Sequence, residues 1–162
     1  MNIEKLKKIP LATRFSDPRG HYHELFNKKH LKENGIEDDF VQFSTSVSNK
    51  HVLRGIHGDA GTGKIISCLY GEIQYAFVDN RENSPTYSEV VHGKLSHESN
   101  HAIYVPAGVG NSYLTLSDFS VYFYAQTTYY GEYKQFTLKW NNPKYNIPWE
   151  VENPILSQRD GD

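Results

Sequence analysis

A chain of 162 residues suits one domain around a single core, and a formal net charge of −2 offers no basic surface to a nucleic acid. No apolar run approaches the ~20 residues of a membrane-spanning helix, and the opening Met1-Asn2-Ile3-Glu4-Lys5-Leu6 lacks the apolar centre of a signal peptide. The one cysteine, Cys68, cannot form an internal disulfide, so the composition favours a cytoplasmic protein without nucleic-acid or membrane partners.

The first predicted strand is Pro10-Leu11-Ala12-Thr13-Arg14-Phe15, followed by a turn at Ser16-Asp17-Pro18. A second, from Arg19 to Phe26, puts Tyr22, Glu24 and Phe26 on one face. Asn27 is an N-cap for a short helix over Lys28-Glu33, with Gly35 as its stop, and this is the only helix expected. From Asp39 onward the pattern is β. Alternation marks 40–47, and the runs 65–70 and 72–78 flank Gly71 as strand, turn and strand. A polar loop covers 80–85, and further strands are expected at 87–91, 101–105, 112–116, 121–126 and 136–140. The tail from Pro143 to Asp162 is expected to be irregular. Many short strands with turn signals about every ten residues argue for an all-β sandwich or barrel spanning 1–162, with an open mouth for a ligand. The aromatic-rich surface, with 12 tyrosines in the chain, suggests a homodimer.

The stretch Val52-Leu53-Arg54-Gly55-Ile56-His57 carries the most chemistry. It begins with strand alternation, so Arg54 and His57, three apart, face opposite ways unless the chain bulges at Gly55. A histidine with an ordinary pKa near ~6.5 exchanges protons at neutral pH, and a nearby arginine can fork onto a phosphate. His57 is therefore expected as a general base, and Arg54 as a grip on an anionic substrate.

Several further pieces carry a resemblance. Pro106-Ala107-Gly108-Val109-Gly110-Asn111 resembles the second cupin motif, Pro-x-Gly-x-x-His. Asp17-Pro18-Arg19-Gly20 with Glu24, Val52 to His57, Gly63-Lys64, Gly71-Glu72-Ile73, Ser84-Pro85-Thr86-Tyr87, Trp140, Ile147-Pro148-Trp149 and Pro154 to Asp160 follow in order. Together they make most of the chain similar to the dTDP-4-dehydrorhamnose 3,5-epimerase family. The resemblance implies a jelly-roll dimer, no metal and no cofactor, and a nucleotide-diphospho-4-keto sugar as substrate. It implies His57 as base, Asp160 as its carboxylate partner, Lys64 beside the keto oxygen and Tyr124 as acid. It puts phosphate and nucleotide contacts on Arg19, Glu24, Gln42 and Arg54. Asn111, Tyr22 and Tyr130 are pocket candidates.

There are departures. Asn111 stands where the motif has histidine, and Gly58-Asp59 replaces the aromatic residue and glutamine that follow the base. With Gly110-Asn111-Ser112 and Gly131-Glu132-Tyr133, these changes look like the branch acting on GDP-4-keto-heptoses for surface polysaccharide. The chemistry explains the residue types. A 4-keto group acidifies C3–H and C5–H, and inversion needs a base on one face, an acid on the other and a cation at the enolate oxygen. Tyr122 and Tyr124 share a strand face, so packing competes with catalysis for both. Histidines and acids lack the spacing of a metal-binding cupin, and Gly61-Thr62-Gly63-Lys64 is no phosphate-binding loop. The remaining alternatives are the dTDP-4-keto-6-deoxyglucose reaction, a ketoisomerase, a non-catalytic sugar-binding cupin and a metal-dependent dioxygenase.

Overall fold

Two five-stranded antiparallel sheets face each other in the computed structural model, which describes residues 2–161. The first sheet runs β1 (Lys7–Pro10), β9 (His101–Val105), β6 (Lys64–Tyr70), β11 (Phe119–Gln126) and β4 (Gln42–Asn49). The second runs β12 (Phe136–Thr137), β5 (Leu53–Gly58), β10 (Val109–Thr115), β7 (Glu72–Asp79) and β8 (Val90–Ser96). A separate ribbon pairs β2 (Phe15–Asp17) with β3 (Gly20–Tyr22). The expected all-β sandwich is what the chain forms.

The sandwich interior is divided. Ile66, Ile73, Tyr75, Phe77, Leu95, Ile103 and Val105 interdigitate between the sheets as an apolar core. The other end is polar and open. The helix α1 (Lys28–Glu33) covers the back of the first sheet, where Leu31 and Ile36 meet Ile9, Ile65 and Ala102. Its start is capped as expected, with Asn27 Oδ1 accepting from the His30 amide at 2.9 Å.

Strand β4 inverts the usual alternation. Phe43 and Val47 point outward at 59% and 61% exposed, while the side chains facing the other sheet are Gln42, Ser44, Ser46 and Ser48. Ser46 and Ser48 share the hydroxyl of Tyr113 from β10, at 2.7 and 2.9 Å. Satisfied hydroxyls can line the inside of a sandwich, whereas unpaired ones would be costly there.

Some boundaries differ from expectation. The first strand is Lys7–Pro10 rather than 10–15, and the second is only Gly20–Tyr22. The run 87–91 is mostly turn: Ser84 and Thr86 donate to buried Asp79 at 2.7 Å each, and Ser88 sits at φ 69°, so the strand starts at Val90. The tail is not wholly irregular. Ile155 bridges Val52, and Gln158–Gly161 forms a second short helix, α2, that carries Asp160.

Candidate active site

The bulge that the sequence requires is present. Across β10 and β5, Asn111 pairs with His57 and Tyr113 with Arg54, so three steps on β5 match two on β10. Gly55 sits at φ 116°, and a Cβ there would lie 2.6 Å from both the Asn111 carbonyl and the Ser112 Cβ. Only glycine fits, and the bulge turns Arg54 and His57 toward one cavity.

That cavity, of about 210 Å3, is lined by Ser46, Arg54, His57, Lys64, Asn111, Tyr113, Tyr122, Tyr124, Gln126, Tyr130, Gln135 and Arg159. Its walls come from opposite sheets. His57 and Asn111 stand on β5 and β10 of the second sheet. Lys64 stands on β6 of the first sheet, opposite Gln126 of β11, with Tyr124 two residues before Gln126 on the same face.

His57 Nε2 meets Asp160 Oδ1 at 2.5 Å. Asp160 is buried, and its other oxygen accepts from Ser157 Oγ at 3.0 Å and from the Gly55 amide at 3.4 Å. With a carboxylate on Nε2, that nitrogen holds the proton and Nδ1 is left as the acceptor. Burial pushes the imidazole below its ordinary pKa, the Asp160 charge and hydrogen bond pull it back up, and Arg159 and Lys64 push it down. The net direction is down, which favours the neutral imidazole at neutral pH.

Lys64 enters from the short loop after Asp59. Asp59 is buried and accepts from the amides of Gly61 and Thr62 at 3.0 and 2.7 Å, which ties the loop. Burial lowers the Lys64 ammonium below its ordinary pKa, Asp59 raises it, and Arg159 lowers it. At Gly58 any Cβ would lie 2.5 Å from the ring of Phe136, which occupies the adjoining space.

The two tyrosines of β11 differ. Tyr122 is buried, and its hydroxyl donates to Asn111 Oδ1 at 2.9 Å. Burial lifts its phenol well above the ordinary range. Tyr124 is half-buried at the cavity wall, and its hydroxyl has no hydrogen-bond partner among the described residues. Of the pair, Tyr124 has the proton free to donate.

Arg54 lies at the mouth, its Nε donating to Ser48 Oγ at 2.9 Å. Gln42 lies just outside, where its Oε1 accepts from the Tyr130 amide at 2.8 Å and so holds Tyr130 at the mouth. Three expected contacts are not brought here. Arg19 and Tyr22 lie on the β2–β3 ribbon, against a different, shallow concavity, and Arg19 pairs with Asp17. Glu24 accepts from Asn27 at 2.7 Å. The ribbon is paired only with itself, and its second strand ends at Tyr22, so the expected face of Tyr22, Glu24 and Phe26 does not form. Among the described residues no three His, Cys, Asp or Glu side chains converge to hold a metal.

Sequence reasoning left out Ser46, Tyr113, Tyr122, Gln126, Gln135 and Arg159 as pocket residues. Gln126 shares the Tyr124 face, and Arg159 precedes Asp160, so both were within reach of strand periodicity and the terminal motif. Arg159 is held by Thr137 Oγ1 at 2.9 Å and Gln135 Oε1 at 3.0 Å, partners 22 and 24 residues away that no local pattern announces.

Fold and cavity together define a β-sandwich with a carboxylate-paired histidine on one wall of its cavity and a tyrosine and a lysine on the other. The model of the dTDP-4-dehydrorhamnose 3,5-epimerase family matches residues 2–162. The chain is 35% identical over 150 residues to dTDP-4-dehydrorhamnose 3,5-epimerase of Shigella flexneri, covering 90% of this chain and 83% of that one. It is similar to the dTDP-6-deoxy-D-glucose-3,5-epimerase of Legionella pneumophila, solved with dTDP-4-keto-L-rhamnose, at TM-score 0.91 and 34% identity, covering 99% and 87% of the two chains. It is also similar to ChmJ, a 3'-monoepimerase of Streptomyces bikiniensis solved with dTDP-quinovose, at TM-score 0.91 and 29% identity, covering 99% and 83%. The chain belongs to the dTDP-4-dehydrorhamnose 3,5-epimerase family. It is an isomerase, and its sandwich is the cupin-like jelly roll of these relatives.

Proposed function

We propose that the protein epimerises a nucleotide-diphospho-4-keto sugar in the cytoplasm, inverting C3 and, on some substrates, C5. The observation that carries this is the division of the cavity: His57 on one sheet, backed by Asp160 from α2, and Tyr124 and Lys64 on the other. In the proposed reaction His57 removes the proton beside the carbonyl, and Asp160 favours the imidazolium that results. Lys64 steadies the enolate oxygen. Tyr124 returns a proton from the opposite face, inverting the carbon. Arg54 takes the diphosphate at the mouth.

For the sugar, the wall supplies neutral hydrogen-bonding groups from Ser46, Asn111, Gln126 and Gln135. These suit a hydroxylated arm better than the methyl group of a 6-deoxyhexose. With Gly58-Asp59 and Asn111, they support a GDP-4-keto-heptose on the way to a surface polysaccharide. The relatives' names and the sugars in their structures support the second reading, a dTDP-4-keto-6-deoxyhexose.

Arg19, Tyr22 and Glu24 fit the same proposal through a homodimer. Phe15 and Tyr22 on the ribbon are 64% and 66% exposed, as are the outward Phe43 and Val47 of β4 to a similar degree. An uncovered apolar edge of this kind marks an interface. A second copy would cover β4 and bring its own Arg19, Tyr22 and Glu24 to the cavity mouth. Mixing Arg19→Ala with His57→Ala subunits is expected to restore part of the activity that each lacks alone. No restoration in a mixed dimer would refute the shared site.

The test of the reaction is incubation in heavy water with each 4-keto sugar nucleotide. Deuterium is expected at C3, and at C5 where two centres invert. A shifted carbonyl without inversion would identify a ketoisomerase. Absence of label from every substrate would contradict the epimerase reading.

A further inference from the structure

We infer that Tyr122 is a positioning residue that locks the side-chain amide of Asn111 with its NH2 group toward the substrate, so that the pocket selects a sugar oxygen able to accept a neutral hydrogen bond beside His57. The inference rests on the epimerase reading above and concerns what the second wall offers to the sugar.

The geometry leaves Tyr122 one role. Its ring is stacked on Tyr113 with centroids 4.2 Å apart and planes 16° apart, and lies 6.0 Å from the ring of Tyr124. The ring is only 2% exposed. A phenol so enclosed needs an acceptor for its proton. Among the described residues, Asn111 Oδ1 at 2.9 Å is the hydrogen-bond partner of its hydroxyl. The neighbouring hydroxyl of Tyr113 is already held by Ser46 and Ser48.

An asparagine side chain carries one acceptor oxygen and two N–H donors. Tyr122 engages the oxygen, so the group left for the cavity is the donor end. Asn111 stands directly across the ladder from His57 and lines the same cavity as Lys64 and Tyr124. Its amide therefore offers a hydrogen bond at a fixed place beside the base. Unlike an imidazole at that position, the amide carries no charge at any working pH. A hydroxyl or carbonyl oxygen of the sugar is the matching group; an alkyl or ammonium group there is not.

The test uses purified full-length protein and the 4-keto sugar nucleotide that the wild type turns over. Tyr122→Phe keeps the ring stack and removes only the hydroxyl. It is expected to lower kcat/KM on the order of tenfold, mostly through KM, because the amide is then free to rotate. Asn111→Ala is expected to lose at least as much, and Tyr122→Phe added to Asn111→Ala to lose nothing further. Asn111→Asp keeps an acceptor for Tyr122 but removes the donor, and is expected to match Asn111→Ala. It also serves if Tyr122→Phe fails to fold. A Tyr122→Phe enzyme equal to wild type, losses that multiply in the double variant, or a fully active Asn111→Asp would each overturn the inference. His57→Ala separates this from the underlying reading: an active His57→Ala overturns the epimerase mechanism, whereas an inactive one beside an unaffected Tyr122→Phe overturns only the role of Tyr122.

Discussion

The two halves of the sandwich interior use the same strands for opposite ends. Around Phe77, Ile73, Leu95 and Ile103 the sheets close on one another with buried apolar side chains. A few residues further along the same ladders, at Asn111, Lys64, Tyr124 and Gln126, they are held apart by polar groups around a cavity. Strand β10 passes through both, with Asn111 beside Phe77 and His57 in the ladder. The closed half supplies rigidity, and the open half uses it to hold His57 and Tyr124 on facing walls.

If the halves are separable in this way, substitutions should separate activity from stability. The largest effect is expected from His57→Ala, which should lower turnover on the order of 10³-fold. Its melting temperature should fall less than that of a core variant, as steady-state kinetics beside a thermal melt would check. Phe77→Ala should do the reverse. Removing a fully buried ring costs about 3–5 kcal/mol in unfolding free energy. Whatever remains folded at low temperature should keep a near-normal KM. Urea titration measures the first quantity, and kinetics on the folded fraction the second.

A smaller effect concerns pH. His57 and His101 are both held below the ordinary histidine pKa, mainly by burial, and His101 Nε2 is buried with no hydrogen-bond partner among the described residues. The folded protein therefore binds these protons less readily than the unfolded chain does. Stability should be complete above about 6.5, the unfolded histidine value, and should decline as the pH falls below it toward the folded values. The acid limb of kcat/KM should likewise lie below about 6.5. Chemical denaturation and initial rates between about pH 5 and 8 would check both. A stability maximum below pH 6 would contradict the burial argument.

The closed half was legible in the sequence because it obeys simple periods. Alternation and the Gly71 turn marked β6 and β7, and Asn27 and Gly35 bracketed the first helix to the residue. The open half was legible where chemistry and motif coincide. His57, Lys64, Tyr124 and Arg54 were named in advance and meet in one cavity, with Asp160 behind His57. What escaped has a physical cause. On β4 the hydroxyls face inward because Tyr113 satisfies them, a pairing made 65 and 67 residues away in sequence. Tyr122 looked like a packing residue because only the fold puts Asn111 against its hydroxyl. Tyr22 and Glu24 share a predicted face with Phe26, yet the strand ends at Tyr22 and the ribbon carries Arg19 and Tyr22 to a different concavity from their own chain's cavity.

The most direct test of base and acid on opposite walls is Tyr124→Phe followed in heavy water. His57 should still remove and return the proton at C3, so the substrate should gain deuterium with its configuration retained, while inversion falls by on the order of 10²-fold or more. Inversion at the wild-type rate would contradict the account, since the phenol on the first sheet would then not be the source of the second proton.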